Sequence, residues 1–289
     1  MDHREHRLAF MISWAGVMGL WGCGNHALAS GVDGGKGATD VTRGVHDAVA
    51  DDDVEISGAL ADSGPDVGLA DGIDGPSRLA GLRIALVGTA NPNSEAALLA
   101  WLQQNTGTPV PRILTDSSEL NAALLAKYDV LITERLVRSY SATEAAILAT
   151  WVAAGGAVMS VNGFYASGAD NPASNSFLAG VGLMLGSYVL GGPGDPGTTT
   201  ALLAHPITDG LDTLPFWGGF GVQPTPTTDG LGMSTTVAMV DTQSVAIAQV
   251  RGAGRVLMWG DEWIEMDSQF ALPTLPRFWL QALTWLARR

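Results

Sequence analysis

Four carboxylates, Asp261, Glu262, Glu265 and Asp267, crowd one short stretch and are interleaved with Trp259, Trp263 and Phe270. Carboxylates beside aromatic faces can bind a sugar or a cation, and a pair can hydrolyse a glycoside when one of them holds its proton. The plainer reading is that Asp261 caps the turn that follows while the Trp side chains pack the last helix. His205 is the only histidine of the C-terminal two-thirds of the chain. A His-rich zinc site is therefore excluded, no metal ligand set is expected, and a Ser/His dyad would have to use this residue. Its neighbours, Pro206-Ile207-Thr208-Asp209-Gly210, spell a turn, where a histidine serves to order a loop. Arg135 and Arg138 stand just past an apolar strand. They could hold an anion over its end, or pair with Glu134 and Glu144. Ser160 lies inside an apolar run and outside any G-x-S-x-G elbow, so its hydroxyl is expected to bond to backbone.

These side chains need a frame, and the frame reads most clearly from Ser141 to Gly163. Ser141 and Glu144 have the S-x-x-E spacing of a capping box, which places a helix start. Ile147, Leu148, Trp151 and Val152 follow at helical spacing, and Gly155-Gly156 supplies the left-handed residue that ends the helix. The apolar run Ala157 to Val161 then suits a strand buried on both faces. The turn after it carries Asn162 and Gly163, where enzymes of this build often display a nucleophile. Upstream, Leu82 to Val87, Val110 to Leu114 and Asp129 to Thr133 read as strands. The helices between them carry Leu98, Leu99 and Leu102, then Leu120, Leu124 and Leu125. The first helix has a cap at Asn93 or Ser94, and the second has capping-box spacing at Asp116 and Glu119.

This alternation is the mark of a doubly wound, flavodoxin-like α/β domain with a mainly parallel sheet and helices on both faces. Any ligand should meet the strand ends, at Gly88 to Asn93 with Asn91 among them, Glu134 to Arg138, and Asn162 to Tyr165. The glycine turn at Gly88 lacks both the G-x-G-x-x-G and the G-K-[ST] patterns, so a plain connection is favoured over a phosphate cradle and no cofactor is expected. Further on, Ser176 to Leu185 reads as a short apolar helix. Val237 to Val240 and Val245 to Val250 form a hairpin extension around Asp241-Thr242-Gln243. Arg255 to Trp259 is another strand, and Leu275 to Leu286 is the closing helix with Pro276 in its first turn.

The net charge of -14 argues against nucleic acid as a partner, because phosphate binding needs clustered Lys and Arg. The one cysteine, Cys23, rules out an internal disulfide. Residues 8 to 22 form an apolar block too short for a comfortable membrane helix, which suits the core of a signal peptide over residues 1–22. Its end, Leu20-Trp21-Gly22-Cys23, resembles the lipobox of bacterial lipoprotein signal peptides. The resemblance implies a diacylglycerol on Cys23 as a membrane anchor and, with Gly24 following, the outer membrane of the cell envelope. Residues 23–78 are built mainly of Gly, Ala, Asp and Val and contain no Phe, Tyr or Trp. Such a segment buries too little apolar surface to offset its ordering entropy and is expected to be a disordered acidic tether. The segment Asp71-Gly72-Ile73-Asp74-Gly75 lacks the ladder and closing Glu of a calcium loop.

Several pieces of residues 79–289 resemble the class I glutamine-amidotransferase-like fold. They are the helix with Gly-Gly-Ala-Val-Met-Ser-Val-Asn-Gly (155–163), Asn-Ser-Phe-Leu (175–178) with Gly-Leu-Met-Leu (182–185), the turn at His205, and Gly-Ala-Gly-Arg-Val-Leu-Met-Trp-Gly-Asp-Glu-Trp (252–263). The likeness is greatest to non-amidotransferase branches such as the trehalose-utilisation type. The resemblance implies a catalytic Cys in the turn after the fourth strand, but Asn162 stands there and the domain has no Cys. Without a thiolate there is no glutaminase chemistry. The expectation is a domain without a catalytic residue that binds an envelope protein or a carbohydrate, with Asn91, Arg135, Arg138, Asn162, Tyr165, His205, Asp261, Glu262 and Trp263 as candidate contacts. The alternative is a hydrolase using Asp261, Glu262 or His205.

Overall fold

The structure is a computed structural model that describes residues 77–91, 95–162, 171–190, 201–227 and 229–289. The expected signal peptide, Cys23, nearly all of the expected tether, the caps expected at Asn93 and Ser94, and Tyr165 lie outside the described residues.

The first half of the domain alternates as the hydrophobic pattern requires. Strand β1 (Ile84–Val87) leads to helix α1 (Ala96–Thr106), β2 (Arg112–Ile113) to α2 (Ala122–Leu125), β3 (Val130–Thr133) to α3 (Ala142–Ala153), and β4 (Ala157–Ser160) to α4 (Asn171–Leu178). The second half is mostly strands: β5 (Leu183–Val189), β6 (Ala201–Leu202), β7 (Phe220–Pro224), β8 (Met233–Val240), β9 (Gln243–Arg251) and β10 (Gly254–Trp259). Helices α5 (Asp267–Phe270) and α6 (Thr274–Ala287) close the chain. One sheet of eight strands runs β2-β1-β3-β4-β10-β9-β8-β6. It is parallel from β2 to β10 and antiparallel beyond. The expected doubly wound order is therefore present, with the hairpin as its antiparallel flank.

Burial on both faces shows in the alternation of side chains along each central strand. Ile84 and Leu86, Val130 and Ile132, and Leu257 and Trp259 join the core under α1 and α6. Ala85 and Val87, Leu131, and Val256 and Met258 join the core under α3 and α4. A period of two with both sets apolar is what a sheet covered by helices on each side demands.

Helix α3 starts as its residues dictate. The Ser141 hydroxyl accepts the Glu144 amide at 3.3 Å, and the Glu144 carboxylate accepts the Ser141 amide at 2.8 Å. At the other end Gly155 has φ 118°, a backbone that a side chain would strain. Replacing Ser141 by alanine is expected to cost about 1 kcal/mol in urea unfolding, the usual loss for an N-cap.

Two expectations need correction. The spacing at Asp116 and Glu119 makes no helix start, because Asp116 turns locally onto the Ser118 amide at 2.8 Å; α2 begins later, with Asn121 accepting the Leu124 amide at 3.0 Å. Ser176 to Leu185 is not one helix. Gly182 has φ 76° and ends it, after which Leu183 and Leu185 pair with Pro224 and Val222 in a separate two-stranded sheet. Apolar residues over so short a run fit either period, and only the partner strand decides. That partner, β7, was not evident in the sequence.

Candidate functional site

Parallel register sets where the strand ends lie. Val87, Thr133, Ser160 and Met258 form one row across β1, β3, β4 and β10, since Val87 pairs with Thr133, Thr133 with Ser160, and Ser160 with Met258. The residues just beyond that row are Gly88, Glu134, Val161 and Trp259. The connection from β1 runs to β2 on one side, and that from β3 runs to β4 on the other. This is the switch point of an open α/β sheet, the usual place for a ligand. The two loops touch closely there. The Thr89 amide donates to the Arg135 carbonyl at 2.9 Å, and a side chain on Gly88, with φ 101°, would meet that carbonyl at 2.5 Å.

At the switch point sits a buried polar cluster. Arg112, at the end of β2, reaches Glu95 through one guanidinium nitrogen and Glu134 through another at 2.6 Å. The backbone amide of Asn91 donates to Glu95 at 3.2 Å, and its side-chain amide donates to Glu265 Oε1 at 2.9 Å. Glu95, Glu134, Glu262 and Glu265 are all buried. One carboxylate oxygen each from Glu95, Glu134 and Glu265 lies within 4.8 Å of the others, a spacing that could hold a metal ion. Burial pushes Glu134 up to about 7, with Arg112 opposing and the Glu262 charge assisting. Glu265 is raised well above the usual carboxylate range, by burial first and by the charge of Glu134 next. The chemistry available is that of carboxyl groups holding protons near neutral pH.

The residues singled out in the sequence divide into three groups. Asn91, Asn162, Asp261 and Glu262 lie buried at the strand ends. The Asn162 side-chain amide donates to Thr133 Oγ1 at 3.0 Å and Ser160 Oγ at 3.2 Å, next in sequence to Glu134. The Ser160 hydroxyl, expected to bond to backbone, thus accepts from the Asn162 side chain instead. Asp261 is the cap that the plainer reading expected, accepting the Trp263 amide at 3.0 Å and also the Trp217 amide. Burial nevertheless pushes its carboxyl up to about 8, against the pull of those two amides. Trp259 packs on Phe278 of α6 at 5.4 Å, as foreseen, but Trp263 packs edge-on against Trp217 at 4.6 Å.

Arg135 and Arg138 belong to the second group. Arg135 contributes its backbone to the contact with Thr89. Arg138 pairs with Glu144 at 2.5 Å, donates to the Ser118 carbonyl at 2.7 Å, and lies 4.2 Å over the Tyr140 ring. Of the two pairings foreseen, that with Glu144 is present, whereas Glu134 goes to Arg112.

His205 stands apart. Its Nδ1 accepts the Ile207 amide at 3.2 Å, its ring meets Trp285 edge-on at 5.2 Å, and it is felt by Arg255 at the start of β10. That is the end of the sheet opposite the cluster. Burial, with Arg255 adding, lowers its pKa to about 4, so it is a neutral loop-ordering histidine at neutral pH. The acidic stretch and His205 do not converge.

Sequence reasoning missed Glu95 and Arg112. The available signal was Arg112 itself, a cation in the apolar run Val110 to Leu114 of a chain with few basic residues. An arginine so placed is expected to have a carboxylate partner.

No family model and no curated protein matches the sequence. Solved structures similar to it include the mmIFT52 N-terminal domain, 14% identical, covering 70% of this chain and 97% of that one with a TM-score of 0.56. A cytoplasmic protein from Salmonella typhimurium is 14% identical, covering 72% of this chain and 100% of that one, with a TM-score of 0.53. A ThuA-like protein from Bacteroides uniformis is 16% identical, covering 77% of this chain and 95% of that one, at a TM-score of 0.46, too loose to weigh. The first two show that the α/β fold is shared, and a shared fold carries no activity with it.

Proposed function

We propose that this chain is an envelope lipoprotein, anchored through Cys23 and a flexible acidic tether, whose amidotransferase-like domain binds a ligand or partner over its strand ends without cutting it. The observation that carries this reading is Asn162. The position after β4 holds an amide, committed to Thr133 and Ser160, where the chemistry of the fold would need a thiolate. The hydrolase alternative is disfavoured, because His205 lies at the other end of the sheet and Asp261 is occupied by two backbone amides. The full chain, solubilised in detergent, is expected to show no turnover of amide, ester or glycoside substrates. It is also expected to capture a component of solubilised envelopes that is lost when Asp261 and Glu262 are changed to Asn and Gln. Turnover that disappears with Asp261→Asn, Glu262→Gln or His205→Ala would refute it.

A further inference from the structure

Three carboxylates, Glu95, Glu134 and Glu265, cluster at the switch point, and the first two share the Arg112 guanidinium. Two of their oxygens, Glu134 Oε1 and Glu265 Oε2, are buried and have no hydrogen-bond partner among the described residues. The other oxygen of each carboxylate is held in place: Arg112 donates to Glu134 Oε2 at 2.6 Å, and Asn91 donates to Glu265 Oε1 at 2.9 Å. Glu134 is 1% exposed and Glu265 fully buried, so water in bulk does not solvate the free oxygens. A desolvated acceptor left unmet is costly, and an excess of buried negative charge costs more. A single water would supply donors but no charge.

We propose that Glu134 Oε1 and Glu265 Oε2, with Glu95 beside them, bind a hard divalent cation of the magnesium, manganese or calcium class at this end of the sheet. Two oxygens on one such ion stand apart by at most about twice the metal–oxygen distance, roughly 4 to 5 Å. The 4.8 Å limit on the three carboxylates meets that condition. An all-oxygen set without His or Cys disfavours zinc and copper. Asn91 and Arg112 act as the outer support that aims each ligand, the usual arrangement around a metal. The inference rests on reading the strand ends as a binding site and names the class of ligand held there.

Equilibrium dialysis of the full chain against Mn²⁺ in detergent, after stripping with EDTA, tests it. One Mn²⁺ per chain is expected, competed by Mg²⁺ or Ca²⁺, with the Tm raised by roughly 5 °C at saturation. Glu265→Gln, which keeps the shape, should abolish binding and the Tm shift. Asn91→Ala should weaken binding by roughly 10- to 100-fold, while Glu119→Gln on the exposed surface leaves it unchanged. No stoichiometric Mn²⁺, or equal binding by wild type and Glu265→Gln, would overturn the cation site. That result is separable from failure of the binding reading, which shows as turnover whether or not cation is bound. A captured partner that resists EDTA would show the strand ends binding without a metal, which likewise counts against the cation.

Discussion

Replacing Arg112 by methionine is expected to lower the unfolding free energy by about 3 to 5 kcal/mol, the range for breaking a buried ion pair from one side. Arg112 is the cationic partner of both Glu95 and Glu134, and the side chain of Glu134 is wholly buried. Methionine fills much of the volume but leaves two carboxylates facing each other in a poor solvent for charge. They can escape by taking up protons. The loss should therefore be smaller at pH 5 than at pH 8, and paired urea titrations at the two values read the difference directly. Equal stability of the variant and wild type at pH 8 would mean that solvent, and not Arg112, neutralises these groups.

Stability should also fall as pH rises from about 4 to about 8, contrary to the behaviour of a domain held by ionised carboxylates. The cause is Asp261, whose carboxyl is pushed up to about 8 by complete burial. Across this window the folded state keeps a proton that the unfolded chain has released. The unfolded state binds fewer protons, so each pH unit removes up to about 1.4 kcal/mol. The stabilisation is fully present below the unfolded pKa and is lost as pH climbs through the folded one. Integrated over the window, Asp261 alone amounts to on the order of 5 kcal/mol, and Glu134, pushed up to about 7, acts with the same sign. Asp261→Asn separates the contributions. It can accept from only one of the Trp217 and Trp263 amides, so it should be weaker at pH 5 by about 1 to 3 kcal/mol. Its stability should nonetheless depend less on pH than that of the wild type. His205, lowered to about 4, acts with the opposite sign up to about pH 6.5, so a wild-type profile that rises from about pH 6.5 to pH 8 would show that Asp261 is ionised in the fold.

Much of the domain was legible from local pattern. The capping box at Ser141, the four parallel strands from β1 to β4 in outline, the β8–β9 hairpin and the capping role of Asp261 all rest on residues a few positions apart. Their chemistry acts before any tertiary contact forms. Strand ends were likewise placed well enough to mark Asn91 and Asn162. Where the pattern was short or two-sided it misled, as at Asp116 and from Leu183 onward, because a brief apolar run takes its period from whatever strand it meets.

The amide at Asn162 and the lone Cys23 are facts of sequence, and the expectation that glutaminase chemistry is absent rests on them alone. Which charges meet was decided elsewhere. Glu95, Arg112, Glu134 and Glu265 come from four separate elements, and only the parallel order of β2, β1, β3 and β10 carries them to one point. The same order sends His205 to the far end. Burial, which gives those carboxylates their protons or their need for a cation, is a property of the packed site and of no residue alone.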